Sequence, residues 1–453
     1  MKRINNDMLH GPLLGNLISY TIPIMLTGIL QLLFNAADLV VVGQYRGSIA
    51  LAAVGATGSL TALIINLFIG LSTGAGVTVA HAIGSKDAER THRTVHTAVT
   101  ISVIGGVILA VIGVMFSEQF LVWMDTPEDV LPLSALYMRI YFTAMPVVML
   151  YNFCASILRA SGDTKSPLMI LAVSGVINVV LNIIFVTVFG MSVDGVALAT
   201  VVSTAVSAVS AVLVLMRRTD AVRLDLRKLR IYKAQLLKII RIGLPAGIQG
   251  SIFSISNVLI QSSINSFGKI AMSGNAAAGN IEGFVYTSMN AFYQSTLNFV
   301  GQNVGARQYK RVSKIMWISM ACVTILGISM SGLVYAFGPQ LLGIYISDSA
   351  EAIDYGMIRF TYVCLPYFLC GVMEVCTGAL RGMGVSLMPM IASIVGVCGI
   401  RIGWILTVFK MPEYHTLESL YFSYIVSWVF TIAFHLVSFL IIHRKRMKQF
   451  PQP

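Results

Sequence analysis

Three carboxylates stand inside apolar runs: Asp38 in FNAADLVVV, Glu282 in AAAGNIEGFVY and Glu374 in CGVMEVCTGAL. On insertion scales an acid at hydrocarbon depth costs about 2.5 to 3.5 kcal/mol, so each must face protein or a water-filled cavity, and such groups mark ion and substrate pathways. Asp38 is the one acid or base in the long run Leu14 to Val42. Its expected role is a proton or cation site, set against a protonated aspartate that merely hydrogen-bonds a neighbouring helix. For Glu282 and Glu374 the structural alternative is an ion pair with Arg401, the one base that the sequence places deep in a span. Other chemistry finds no support. No glycine-rich loop ending in Lys-Ser/Thr occurs, so ATP does not act from within this chain. His81, His92 and His96 gather near one loop, but without a third ligand at matching spacing they read as a solvated face and not as a metal centre. No enzymatic role and no cofactor is expected.

The elements that must hold these acids are membrane helices. Of the 453 residues, 56% are hydrophobic and 11% charged, with a mean hydropathy of +0.81, which excludes an ordinary soluble globule. The chain reads as an all-α polytopic membrane protein with twelve transmembrane helices. They are predicted at 14–42, 50–84, 94–116, 134–158, 167–190, 194–216, 237–266, 271–303, 312–337, 353–380, 387–409 and 419–442. The first run is too long for a cleaved signal. Lysines and arginines gather in alternate connections: Lys2 and Arg3, Lys86 to Arg93, Arg159 and Lys165, Arg217 to Arg241, Arg307 to Lys314, Arg381, and Arg444 to Lys448. The acids Glu118, Asp125, Glu128, Asp129, Asp194, Asp348, Glu351, Asp354, Glu413 and Glu418 fall in the others. The positive-inside rule then puts both termini in the cytoplasm of a plasma-membrane protein. A net charge of +12 therefore reports orientation and not a nucleic-acid partner. The basic stretch from Arg217 is expected to lie against anionic lipid headgroups. Cys154, Cys322, Cys364, Cys370, Cys376 and Cys398 all fall in spans and read as packed thiols. Pro23, Pro146, Pro245 and Pro366 should kink their helices.

An internal repeat organises the spans. Pro23 corresponds to Pro245, Gly84 to Gly305, and Arg139 with Pro146 to Arg359 with Pro366. Arg159, Gly162 and Pro167 correspond to Arg381, Gly384 and Pro389, all at a nearly constant offset. The expected organisation is an N-terminal six-helix bundle over 1–216, a basic cytoplasmic linker over 217–236, and a C-terminal six-helix bundle with a basic tail over 237–453. Six spans per half enter the membrane in one direction, so the bundles are related by a pseudo-two-fold axis along the membrane normal, a transporter design. The acids break the repeat: Asp38 aligns with Ile260, Glu282 with Leu60, and Glu374 with Asn152 or Cys154.

The stretches FNAADLVVVGQYRGSIALAAVGATGSL and GLSTGAGVTVAHAIG, together with the six-plus-six repeat, resemble the multidrug and toxic compound extrusion (MATE) family of the multidrug/oligosaccharidyl-lipid/polysaccharide exporter superfamily. The resemblance covers roughly residues 10 to 445. It implies a V-shaped pair of bundles that export organic cations against inward proton or sodium flow. Family members with an acid on the first helix use it with polar groups on the fifth and sixth, which here are Asn178, Asn182 and Thr200. Asn178 and Asn182 are four apart and share a helical face. An oxygen-rich set of Asp38, Asn178, Asn182 and Thr200 suits Na⁺ or a protonatable carboxyl. Taken singly, such amides and hydroxyls are interhelical hydrogen-bonding groups. Some family members carry a second aspartate where Asn182 stands, and the single charge here gives weight to proton coupling. The seventh span also lacks the acid that joins one on the tenth helix in members with a C-terminal cation site.

Glu282 and Glu374 are expected to line a substrate cavity with Phe34, Asn35, Tyr151, Tyr286 and Gln249. Aromatic faces and flexible methionines suit flat organic cations. The expected function is a monomeric secondary active exporter of small cationic amphipathic drugs or dyes, in antiport with H⁺ or Na⁺ by alternating access. The alternative is a lipid-linked oligosaccharide or polysaccharide flippase, which would call for a basic cavity and not an acidic one.

Overall fold

The computed structural model describes residues 7–124, 126–346 and 349–450, without the side chains of 48, 49, 51, 52, 55, 56, 58–60 and 62–64. Lys2, Arg3, Asp125, Asp348 and the Leu60 side chain, which entered the orientation and repeat arguments, lie outside the described residues. Every regular element among the described residues is helical. A first helix runs from Leu13 to Gly84 and leaves helical geometry once, at Gly47, where φ is 81° and ψ −176°. Glycine, lacking Cβ, enters that region at no steric cost. The break makes two spans, α1 (Leu13–Gly47) and α2 (48–84). There follow α3 (Ala88–Trp123), α4 (Leu131–Thr143 joined to Met145–Ala160), α5 (Lys165–Val188), α6 (Val193–Met216) and α7 (Lys233–Asn265). The remainder are α8 (Lys269–Gly305), α9 (Tyr309–Ala336), α10 (Ala350–Gly382), α11 (Leu387–Lys410) and α12 (Leu417–Gln449). Ten of these helices, eleven with α4, are long and apolar enough to cross a membrane; α8, rich in Gly, Asn and Ser, is the more polar exception.

Helix ends outrun the apolar runs because caps, not hydropathy, stop a helix. The Asp87 carboxylate accepts from the Arg90 N–H at 2.9 Å at the start of α3, and Thr416 Oγ1 accepts from the Ser419 N–H at 3.2 Å at the start of α12. The prolines divide. Pro146 opens the second part of α4, which is bent by 50° from the first. Pro366 sits in a 3₁₀ turn, Leu365–Tyr367, that follows the π turn Phe360–Cys364 inside α10. A missing N–H and a ring against the preceding turn account for both interruptions. Pro23 and Pro245 lie inside continuous helix.

The chain forms two compact units, Leu26–Gly247 and Met8–Met25 together with Ile248 onward. The boundary expected in the basic linker is therefore displaced, and α1 and α7 are each divided within the helix. Close packing explains the displacement. In the first unit a Cβ added at Gly70 of α2 would stand 2.1 Å from the Gly247 backbone nitrogen of α7, so only glycine allows that approach. In the second unit Thr21 of α1 donates to Ser295 of α8 at 2.7 Å, and the Tyr20 ring meets Phe299 edge-on at 5.3 Å. The first unit's core centres on Phe142, Met145, Phe153 and Leu158, and the second unit's on Met289, Phe299, Val323 and Phe360.

Candidate ion and substrate site

Within the first unit, five helices enclose a cavity of about 600 Å³. Helix α1 lines it with Gln31, Phe34, Asn35 and Asp38, whose three- and four-residue spacing puts them on one face. Helix α5 contributes Ser174, Gly175 and Asn178, and α6 contributes Thr200, Ser203, Thr204 and Ser207. Thr57 and Thr61 come from α2, and Tyr137, Tyr141, Tyr151 and Asn152 from α4. A volume of this size holds a drug-sized ligand.

The sequence-predicted coupling residues meet here. The Asn182 amide donates to Asp38 and also lies 3.3 Å from Asn178 Oδ1. Asn182 is fully buried behind the cavity wall, while Asp38, Asn178 and Thr200 line the cavity itself. The Thr200 hydroxyl donates to the Val196 carbonyl at 3.0 Å, which leaves its oxygen lone pairs free to face the cavity. Asn182 Oδ1 has no hydrogen-bond partner among the described residues. Oxygen ligands, one carboxylate and an unfilled acceptor together make a small polar corner that suits a proton or a hard cation. Of the predicted substrate residues, Phe34, Asn35 and Tyr151 line this same cavity. At Gly175 a Cβ would overlap the Phe34 ring at 1.8 Å, so glycine is what admits the ring against α5. Sequence reasoning missed Gln31, Thr57, Thr61 and the α6 stripe Ser203, Thr204 and Ser207. Gln31, seven residues before Asp38, and the helical spacing after Thr200 were the available signals.

The remaining candidates belong to the second unit. Glu282 is 2% exposed and engages Arg359: Nε donates at 3.1 and 3.0 Å to the two carboxylate oxygens, and Nη2 donates at 2.8 Å. Arg401, the partner in the ion-pair alternative, instead donates from Nε to Ser427 Oγ at 3.0 Å and stacks its guanidinium 3.8 Å from the Tyr424 ring centre. Arg359, which enters the sequence argument only as a marker of the repeat, lies at the end of the first helical segment of α10, Ala350–Arg359. It is Arg359 that extends the network, donating at 2.5 Å to Asn275, which also accepts from Tyr421 at 2.9 Å. Arg381, assigned to a cytoplasmic loop, is buried near the end of α10 and donates to Gln249 and Tyr293 at 2.8 and 2.7 Å. Arg401 is thus not the only interior base. Glu374 is 9% exposed, and Tyr286 reaches the surface.

The histidine reading needs correction. His96 is fully buried, not solvated: its Nε2 accepts from the Asp225 N–H at 3.1 Å and its Nδ1 lies 2.7 Å from the His92 carbonyl, which ties the linker to α3. Its neighbours were invisible because Asp225 lies far along the chain.

Comparison with known proteins gives a MatE family match at residues 23–184 and again at 245–405, one in each half of the repeat. The chain is 30% identical over 432 residues to a probable multidrug resistance protein, YoeA, of Bacillus subtilis, covering 94% of this chain and 91% of that protein. It is 25% identical over 389 residues to a second, YpnP, from the same organism, covering 86% and 87%. Among solved structures, the outward-facing conformation of a multidrug resistance MATE family transporter superposes with a TM-score of 0.88 at 21% identity, over 99% of both chains.

Proposed function

The chain belongs to the MatE family of membrane transporters, and from that membership we propose that it is a secondary active exporter of amphipathic organic cations, driven by proton or Na⁺ entry through Asp38. The observation that carries the reading is the shared cavity: Asp38, held by Asn182, faces the same space as Phe34, Asn35 and Tyr151. A cationic substrate and the coupling ion then compete for one carboxylate. Each favours a different conformation, so ion entry down its gradient biases export of the drug. Aromatic walls from α1 and α4 receive the flat apolar body, and the carboxylate receives the charge. The single carboxylate of the corner supports protons over Na⁺ as the coupling ion, since hard-cation affinity rises with ligand charge. Glu374, Tyr286 and Gln249 contribute recognition in the second unit. Both termini lie in the cytoplasm, consistent with the basic connections, and the protein acts as a monomer. The relatives' multidrug names do not favour the lipid-linked oligosaccharide flippase.

Reconstituted vesicles test this. With pH and Na⁺ gradients imposed separately, ethidium export should follow the pH gradient in the wild type and fall at least tenfold in Asp38→Asn. Equal export by the two proteins would overturn the reading.

A further inference from the structure

Helices α9 and α12 of the second unit carry apolar stripes that face outward and end in bases. On α12 the stripe is Phe430, Phe434, Val437 and Ile441, 41–59% exposed, and the same three- and four-residue spacing continues into exposed Arg444, Lys445 and Lys448. On α9 the order is reversed, from exposed Lys310 and Lys314 to Trp317, Ile325 and Ile328. Such a stripe meets acyl chains, and a base within a turn of its end stands at the level of the lipid phosphates. No carboxylate side chain of either helix lies near these bases. Helix α9 holds no acid, and Glu418, the one acid of α12, stands in its first turn, roughly 40 Å from Arg444 along the axis.

The two basic ends are joined. His443 Nε2 lies 2.9 Å from the Tyr309 carbonyl oxygen, the Tyr309 ring stacks on Phe450 at 5.9 Å, and the Arg307 guanidinium carbon stands 4.8 Å from the centre of the Phe450 ring. Arg307 and Arg446 both act electrostatically on Tyr309. The positive-inside bias accounts for the sign of these residues, and the joint holds them in one arrangement. We propose that the joint is a binding site for an anionic diacyl phospholipid: the bases at the start of α9 and the end of α12 hold its headgroup phosphate, and the apolar stripes hold its acyl chains. Guanidinium groups offer the phosphate paired hydrogen bonds, whereas a zwitterionic headgroup brings a cation of its own that these bases repel. Trp317, one turn from Lys314, places an indole where chains give way to headgroups. The site is separate from the basic linker of the first unit, and it holds whatever the protein exports.

Quenching of Trp317 fluorescence by brominated lipid reads the occupant. The full-length protein is reconstituted in vesicles of phosphatidylcholine and phosphatidylglycerol, with the bromine on one lipid or the other. The Trp317 signal is the difference from the same protein carrying Trp317→Phe. Brominated phosphatidylglycerol should quench the wild type as if enriched at least threefold over its share of the vesicle. Arg444→Gln with Lys448→Gln should return that enrichment to the bulk share. Lys269→Gln with Lys410→Gln removes the same charge at the start of α8 and beside the start of α12, and should leave the enrichment unchanged. Should the first pair fail to fold, Lys314→Gln with Lys445→Gln takes its place with the same expectation. Millimolar inorganic phosphate at constant ionic strength should not displace the lipid. Bulk-like quenching in the wild type, equal loss in the two double variants, or displacement by inorganic phosphate would overturn the proposal.

Discussion

Asp38 and Asn182 form the corner proposed as the coupling site of the first unit. An amide beside the carboxylate supplies a donor and no charge, so the corner offers one negative charge to an arriving ion. Asn182→Asp would place a second carboxylate there without changing the side chain's volume appreciably. Calorimetric titration with Na⁺ should then show affinity at least tenfold above the wild type, about 1.4 kcal/mol. Unchanged Na⁺ affinity would mean that the corner does not receive the ion. Asp38 was legible from the sequence because a lone acid in an apolar run has few permitted surroundings. Asn178 and Asn182 were legible only through the family resemblance, since an asparagine in a span is as readily a plain hydrogen-bonding group. The polar stripe of Ser203, Thr204 and Ser207 was hidden because serine and threonine satisfy themselves against their own helix, as the Ser207 hydroxyl does with the Ser203 carbonyl at 3.2 Å.

Among helices, the second unit is tied together by polar contacts that no hydropathy pattern reports. Arg359 of α10 joins Glu282 of α8 to Asn275, which Tyr421 of α12 also meets. Removing one member of a buried pair leaves an uncompensated charge, which costs about 3 to 5 kcal/mol. Arg359→Ala should therefore lower the melting temperature of the purified protein sharply, and pairing it with Glu282→Gln should recover most of the loss. A single variant that melts like the wild type would show that the pair bears no weight. The spans themselves were readable from composition, and the α4 bend from Pro146. The break at Gly47 was not, because a glycine between two apolar stretches resembles any of the chain's other helical glycines until its φ is known. Likewise the division of α1 and α7 between units depends on contacts such as Gly70 with Gly247, which join residues far apart in sequence.

For the molecule as a whole, the repeat seen in scattered prolines, glycines and arginines is the same one matched twice over 23–184 and 245–405. Its halves share a fold but not their charges. The first unit pairs a single carboxylate with a cavity, and the second sequesters the Glu282 carboxylate with Arg359. Competition for Asp38 fixes the sign of the pH dependence. A protonated carboxyl offers no charge to a drug cation, so acidification weakens substrate binding and an acidic exterior drives export. Proton release on binding tests this competition at its source. In weakly buffered, Na⁺-free solution near neutral pH, ethidium added to the wild-type protein should release up to about one proton per bound dye, and Asp38→Asn should release none. Ethidium binding by the wild type with no proton released at any pH between about 5 and 8 would contradict the account.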